Sequence, residues 1–351
     1  MKRCGMPLFA GQGFTLVELL LVIVLLSAVT LAAFDVAIED RSQVRMEDTR
    51  ARLGILRRAI LGVETPAYGG ELRLSGFVAD NGRLPESVRD LLDISSYRER
   101  KGVQPVFSGA LTNECLQTGA GHTFAGVSLL KGHRGNYLAG VARNQAFRDG
   151  WGNVGASADN LNFGWQVAPA FVTDTLTISS LGANNQPGGD SEAEIDQSMR
   201  VSPEDWRVSL DGWKVRLRYR DRSESGTNAL SASGFDPALS DFGDLGLALL
   251  VFENEEGEGR WRQYRSAAAD VGGNNCQGKT ELYDGEECEI RFVAKSVCGG
   301  GGERENLVPL GRHLLVLTAK NYALPPEIHR IVREVDFFPG ALQPGLTLEL
   351  R

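Results

Sequence analysis

Residues 14–34 of the 351-residue chain read FTLVELLLVIVLLSAVTLAAF and contain a single charge, Glu18. As an α-helix, this run would extend for about 31 Å, which matches the hydrocarbon thickness of a bilayer. Lys2 and Arg3 precede the run, and the positive-inside rule keeps that end in the cytoplasm. The sequence therefore predicts one transmembrane helix, with the remainder of the chain on the outer side.

The surroundings of the apolar run differ from those of a secretory signal peptide, which has a shorter apolar region followed by a small-residue cleavage site. Here Gly13 precedes the run and Glu18 lies inside it. A carboxylate within a membrane is costly and usually has a partner. If the chain is cut after Gly13, the new amine of Phe14 lies one helical turn from Glu18. We expect Glu18 of one subunit to neutralise the Phe14 amine of its neighbour in an assembly.

The stretch Gly13–Leu20, GFTLVELL, resembles the cleavage and methylation motif of type IV pilins and type II secretion pseudopilins. The resemblance implies that residues 1–13 are a leader, that prepilin peptidase cuts after Gly13 and methylates Phe14, and that Glu18 serves assembly. It also implies a single-pass inner-membrane protein with its globular part in the periplasm, assembled into a periplasmic or extracellular filament. A plain transmembrane anchor with accidental similarity is the alternative.

The predicted helix continues beyond the apolar run. From residue 35 to residue 61 the sequence lacks Pro and has only Gly54 as a glycine, which favours a helix. Gly62 and Pro66 predict its end. The apolar positions of the expected packed face are Val44, Leu53, Leu56 and Ile60. We therefore predict a membrane and assembly helix over 14–61, about 70 Å long, and the pilin resemblance implies that it is half buried in an antiparallel β-sheet domain.

Two short motifs follow in the predicted pilin-like domain, residues 62–200. Gly82-Arg83-Leu84-Pro85 predicts a short helix with Pro85 at its first position. Asp149-Gly150-Trp151-Gly152-Asn153 precedes an apolar, strand-like segment.

A glycine-rich loop with clustered acid and amide side chains follows the segment Leu176–Ser180. Such oxygens suit calcium, although composition alone also fits a solvated loop. The order of residues resembles the calcium loop of the major type II secretion pseudopilin. The resemblance implies Ca2+ bound by Asn184 and Glu194, with backbone oxygens of Leu181 and Gln186, and we add Asp190, Glu192 and Asp196 as reserve ligands. Asn184 stands where that family has Asp, Gly150 stands where it has Pro, and its tryptophan after the loop is missing.

The last 151 residues, 201–351, exceed the length of a major pseudopilin and have the pattern of β-structure. Short alternating segments separated by Gly, Asp, Asn and Pro predict a small sandwich, with Asp211-Gly212 as a hairpin turn within residues 206–220. The predicted fold class is therefore α+β: a long N-terminal transmembrane helix packed on an antiparallel pilin sheet, plus an extra C-terminal β-sandwich-like domain.

Cys4 lies in the predicted leader, which leaves Cys115, Cys276, Cys288 and Cys298. An even number of cysteines in an exported domain predicts two disulfides, with three possible pairings; four unpaired thiols are the alternative. The wide spacing and the lack of C-x-x-C disfavour zinc.

Composition and motifs limit the function. The net charge of −8 and the lack of a long basic cluster make nucleic acid an unlikely ligand. No known catalytic motif is present, so we expect no enzymatic activity. The leading hypothesis is a minor pseudopilin or pilin at the tip of a type II secretion or type IV pilus-like filament. An adhesive or DNA-uptake minor pilin, or a membrane-tethered extracytoplasmic enzyme, are the alternatives.

The expected partners follow from the same resemblance. They are other pilins through the N-terminal helix, prepilin peptidase, the inner-membrane assembly platform, and secreted cargo or a surface ligand.

Overall fold

The computed structural model describes the following residues: 15–66, 72–92, 131–133, 136–138, 141, 145–155, 161–170, 173–191, 194–223, 228–255, 258–266, 275–292, 307–319, 330–339 and 345–351. For residues 32–40, 63–66, 72–73, 254–255 and 258–261 it describes the backbone and not the side chains.

Within these ranges the protein consists mostly of β-sheet, with few helices. The α-helices are α1 Leu16–Leu61, α2 Phe77–Asn81, α3 Pro203–Trp206 and α4 Ala232–Phe235. The strands are β1 Val63–Pro66, β2 Leu72–Ser75, β3 Gln166–Ala170, β4 Thr175–Ser180, β5 Gln197–Val201, β6 Arg207–Ser209, β7 Lys214–Tyr219, β8 Leu230–Ser231, β9 Gly246–Glu255, β10 Glu258–Arg265, β11 Glu281–Leu282, β12 Glu287–Arg291, β13 Leu307–Pro309, β14 Gly311–Thr318, β15 Val332–Phe337 and β16 Leu346–Leu350. Two 3-10 helices are Val88–Leu91 and Phe242–Asp244.

Helix α1 is defined at both ends by its capping residues. Thr15 and Glu18 form a capping box at the start. At the other end, the backbone N–H of Gly62 donates to the carbonyl of Arg58, and Gly62 has a φ of 101° that other residues rarely adopt. The helix therefore ends at Leu61, where the sequence predicted.

Over the part of the chain that the structure describes, no helix combines the length and the apolar character that crossing a membrane requires. The predicted fold class, with its long N-terminal transmembrane helix, is therefore wrong. The predicted single-pass inner-membrane localisation is wrong for the same reason.

The second half of α1 packs on the protein through one stripe. Met46, Thr49, Leu53, Leu56 and Ile60 are all buried, at the three- and four-residue spacing of one helical face. Each fully buried Leu or Ile contributes about 2 kcal/mol to folding. Val44 was predicted to lie on this face, but its side chain is 64% exposed, because the packed stripe begins two residues later, at Met46.

The first hydrophobic core lies between α1 and the antiparallel sheet of order β3-β4-β5. Leu176 and Ile178 of the central strand β4 belong to this core together with Leu56 and Ile60 of α1. Arg57 of α1 fixes the helix to the far end of the sheet: it donates to the carbonyl of Arg200 at 2.7 Å and forms an ion pair with Asp205.

The second core lies between two sheets, of order β10-β9-β14-β15 and β12-β7-β16. The two cores divide near Val208, which packs against both. Residues 211 and 212 form the predicted turn, but β6 and β7 do not form a hairpin. Strand β6 instead pairs with β13, whereas β7 pairs with β12 and, in parallel, with β16.

Helix α2 and Gly82, the residue that follows it, connect the part of the protein around the first core to the part around the second core. Gly82 has a φ of 64°, and a Cβ at this position would come well inside van der Waals contact with the carbonyl oxygen of Phe252 in β9. The predicted helix at Pro85 is displaced: the 3-10 helix begins at Val88, because Ser87 and Asp90 form a capping box there.

Arg207 provides the second connection. It forms ion pairs with Asp174, at 3.1 Å, and with Glu253 of the second core, at 3.7 Å, and it donates to the carbonyl of Leu307. All three charged side chains are largely buried. Removing one of them would leave unpaired charge in the interior.

Candidate functional site

The most conspicuous surface is the first half of α1. Every residue from Leu16 to Leu31 is exposed, and the large apolar side chains there are 44% to 77% exposed. A contiguous apolar surface of this extent marks an interaction site in a folded protein. A helix that is apolar around its whole circumference can be covered on several sides at once.

Glu18 lies at the start of this surface. Its Oε2 accepts from the backbone N–H of Thr15 at 3.0 Å and from the Thr15 hydroxyl at 3.1 Å. The expected processing residues Gly13 and Phe14 lie outside the described residues. The pairing of Glu18 with the Phe14 amine of a neighbour therefore stays a prediction, and within one chain the carboxylate caps its own helix.

The Asp149–Asn153 motif, called the latch below, connects the loop after β4 to the rest of the first core through hydrogen bonds. The carboxylate of buried Asp149 accepts from the backbone N–H of Asn153, at 2.9 Å, and from its side-chain amide, at 2.8 Å. It also accepts from the hydroxyl of Ser180, at 2.6 Å. The Asn153 amide donates in addition to the carbonyl of Gly182, at 2.9 Å. The motif thus fixes both the last residue of β4 and the first turn of the loop.

The Asp149–Asn153 motif also packs closely on helix α1. A Cβ on Gly150 would come well inside van der Waals contact with the carbonyl oxygen of Arg45. The Gly150 N–H donates to the buried Thr49 hydroxyl at 3.0 Å. Arg45 also lies over the Trp151 ring, 5.7 Å from its centroid. Gly150, which stands where the pseudopilin family has Pro, is therefore explained by this close approach and by its N–H donor.

The expected calcium loop is folded by its own polar groups. Asn184 accepts from the backbone N–H of Gln186 at 3.0 Å and donates to the carbonyl of Gly188 at 3.2 Å. The Gly188 N–H donates to Oδ2 of Asp196 at 3.1 Å. These contacts bring Asn184 and Asp196 to the same turn around Gly188.

One atom of this loop fits a cation. The Oδ1 atom of Asp196 and the Oε1 atom of the adjacent Gln197 are both buried and both lack a hydrogen-bond partner. Unpaired carboxylate and amide oxygens are what Ca2+ prefers. Among the described residues, no group of three or more His, Cys, Asp or Glu side chains could hold a metal ion, so backbone and amide oxygens would have to complete the set. Glu192 lies outside the described residues, and Gln186 and Asp190 are exposed.

A disulfide joins Cys276 and Cys288, which the sequence could not distinguish from the other pairings. Both cysteines are buried in the second core, and the bond links the turn at residues 275–278 to β12. Cys115 and Cys298 lie outside the described residues.

Sequence patterns missed a buried polar cluster around Glu253. Its carboxylate accepts from the Tyr264 hydroxyl, at 2.9 Å, and pairs with Arg262, at 3.0 Å, besides Arg207. Burial first, and then the Glu253 charge, raises the pKa of Tyr264. The alternation of side chains along β9 is the sequence signal for the burial of Glu253, because it places Glu253 on the same face as core residues such as Val251.

His313 is fully buried, with Nε2 at 2.8 Å from the carbonyl of Pro309. Burial and then the charge of Lys131 hold the pKa of His313 well below its usual value. Burial therefore favours the neutral ring.

Comparison with known proteins gives no further assignment: no family profile matches the chain, and no curated protein or solved structure is significantly similar to it. The candidate functional site is therefore the exposed apolar segment of α1, Leu16–Leu31. The Asp149–Asn153 motif packs on the later part of the same helix and also binds the loop after β4.

Proposed function

We propose that the protein is a structural subunit, a minor pseudopilin or pilin, of a type II secretion or type IV pilus-like filament. The observation that carries the proposal is that α1 has an exposed apolar segment, Leu16–Leu31, and a later segment, from Met46 to Leu61, that packs on a sheet. An apolar surface that surrounds a helix is stabilised when several copies cover it. A bundle of such helices forms the centre of the filament, with the folded bodies outside.

The motif at Gly13–Leu20 supports the same proposal from the sequence. Prepilin peptidase would remove residues 1–13 and methylate Phe14. Release of the leader creates the amine that Glu18 of a neighbouring subunit can pair with, in exchange for its contacts with Thr15. An intersubunit ion pair would then set the register between helices.

A position at the tip of the filament follows from the size of the second core. The sandwich of two sheets adds a body as large as the helix-and-sheet part, and such bulk is hard to repeat along a thin shaft. At the tip it has room, and it is available to secreted cargo or to a surface ligand.

Photo-crosslinking in the native host tests the assembly surface. A benzoylphenylalanine at Ile23, within the exposed half of α1, should form crosslinks to sibling pilins. The matched control is Ile195, an apolar residue that is 52% exposed on the loop before β5. Crosslinks from Ile195 alone, or from neither position in a host that assembles filaments, would contradict the proposal.

Calcium binding to the loop is the accompanying proposal, and it rests on the unpaired Oδ1 atom of Asp196. Asp196 would supply a carboxylate oxygen, and Leu181 and Asn184 would supply carbonyl oxygens beside it. Titration calorimetry of the protein with calcium should show binding that Asp196→Asn weakens and that the control Glu204→Gln, an exposed carboxylate on α3, leaves unchanged. Absence of heat at millimolar calcium refutes this part without affecting the filament proposal.

A further inference from the structure

The sandwich of the second core has an open side between two edge strands. Strand β15 ends one sheet and β16 ends the other, and in the described chain neither pairs with a further strand. A cavity of about 230 Å³ lies between them, lined by Arg330–Arg333 at the start of β15 and by Glu349 and Arg351 at the end of β16. A second cavity, of about 390 Å³, lies at the start of β16, beside Gly345–Thr347. Both cavities therefore border β16.

The backbone of β16 has a side that is directed away from its partner. The carbonyl of Leu350 accepts from the N–H of Arg220 next to β7, so the polar groups of Leu350 point toward β7. In a parallel pair, alternate residues point to opposite neighbours. Leu346 and Leu348 therefore also point toward β7, whereas the N–H and C=O groups of Thr347 and Glu349 point to the open edge.

Among the described residues, this edge lacks Pro, Lys and a bulge, which are three of the features that prevent a strand from pairing, and Glu349 is its single charge. Exposed edges are usually protected by Pro, Lys or a bulge. Strand β16 reads LTLEL, has neither Pro nor Lys, and keeps an unbroken register with β7. Its Leu346, Leu348 and Leu350 side chains face the core, so an added strand would find an apolar row on one face and polar residues on the other.

The charge around the edge selects the partner. The charged groups that line the cavity at the end of β16 are three arginines and one glutamate, Glu349, which pairs with Arg351 at 3.2 Å. The cavity at its start is lined by Lys214 and Arg216, which share the single carboxylate of Glu289 at 3.2 and 3.3 Å. Both ends therefore carry an excess of positive charge in a chain whose net charge is −8.

We propose that β16 accepts an extended acidic segment of a partner protein as an additional strand. Backbone hydrogen bonds to Thr347 and Glu349 would hold the segment, and main-chain pairing of this kind gives affinity with little dependence on side chains. Apolar residues of the segment face the leucine row, and its carboxylates lie within reach of Arg333 and Arg351 or within the field of Lys214 and Arg216. This surface is separate from α1 and does not depend on the filament proposal.

Fluorescence anisotropy with the full chain tests the inference. The probe is a fluorescein-labelled heptapeptide of alternating Val and Asp. Its controls are the Val and Lys counterpart and a Val and Asp peptide with alternate backbone amides methylated. Only the unmethylated acidic peptide should bind, and Arg333→Gln with Arg351→Gln should weaken its binding and the dependence of that binding on salt.

Substitution of the edge itself provides the second test. Thr347→Pro removes an outward N–H, which edge strands tolerate, and should weaken binding of the acidic peptide by about tenfold or more, the effect of losing a backbone bond and its fit. Thr347→Val keeps that N–H and should bind as the wild type does. The inference is overturned if the acidic peptide fails to bind at millimolar concentration, or if the lysine or methylated peptide binds equally well. Unchanged affinity in a folded Thr347→Pro variant overturns it too.

Discussion

Replacing Gly150 with Pro restores the residue found in the pseudopilin pattern, yet the structure predicts that it destabilises this protein. The proline ring would place carbon against the carbonyl oxygen of Arg45 and would remove the N–H that donates to Thr49 at 3.0 Å. Overpacking of a tight contact costs about 1–3 kcal/mol, and a lost buried hydrogen bond costs about 1 kcal/mol. The expected loss in the free energy of unfolding is therefore about 3 kcal/mol.

Three further variants separate the two causes. Gly150→Ala keeps the N–H and adds only the contact, so it should cost about 2 kcal/mol. Thr49→Val keeps the shape and removes both the acceptor for the Gly150 N–H and the hydroxyl that donates to the carbonyl of Arg45 at 2.8 Å, so it should cost about 1–2 kcal/mol. Gly345→Ala is the matched control, since its Cβ would meet nothing within 4 Å, and it should change stability by less than about 0.5 kcal/mol.

Urea unfolding followed by tryptophan fluorescence and by circular dichroism at helix wavelengths measures all four variants. The reasoning predicts that Pro is the most destabilising, that Ala and Val are intermediate and that the control is neutral. A Gly150→Pro protein as stable as the wild type would refute the close packing of the latch on α1.

Three other outcomes follow from buried groups. Reduction of Cys276–Cys288, or its double replacement by Ser, should lower the free energy of unfolding by about 2–3 kcal/mol, measured by urea titration with and without reductant; no change would mean that the bond does not restrain the second core. Arg207→Met should lower the free energy of unfolding by about 3 kcal/mol, because it leaves Asp174 and Glu253 buried without this partner. No change in the same titration would contradict the role of Arg207 in joining the two cores. The lowered pKa of His313 means that the unfolded chain binds more protons than the folded one below about pH 6.5. As the pH is lowered below about 6.5, the free energy of unfolding should therefore fall by up to about 1.4 kcal/mol per pH unit. His313→Gln should reduce this pH dependence. An equal pH dependence in the variant would contradict the lowered pKa of His313.

Local signals in the sequence were sufficient for some elements. Gly62 and Pro66 placed the end of α1, because a positive φ and a missing N–H are properties of single residues. The stripe of Leu53, Leu56 and Ile60 was recognisable from its spacing alone. The alternation in residues 214–219 likewise predicted a strand.

Long-range pairing was not recognisable in this way. Strand β6 pairs with β13, about 100 residues further on, and no local pattern specifies that choice over a hairpin with β7. The burial of Glu253 depends on Arg207 and Arg262, which approach from different strands. The membrane prediction rested on the apolar letters of residues 14–34, and among the described residues no helix is long and apolar enough to cross a membrane.

In the candidate site, the sequence named the loop residues but not the way they are held. Asp149 and Asn153 were noted as part of a motif, and the structure shows them binding Ser180 and Gly182. The importance of Thr49 was invisible, because a single buried hydroxyl in a helix has no pattern of its own. Such contacts depend on which surfaces meet after folding.

Mass spectrometry of the mature N-terminus tests the central claim most directly. When the chain is produced together with a prepilin peptidase, a filament subunit should lack residues 1–13 and begin with methylated Phe14. Substitution of Gly13 by a bulky residue should leave the leader in place. A protein that still begins at Met1 in the presence of an active peptidase would contradict the account.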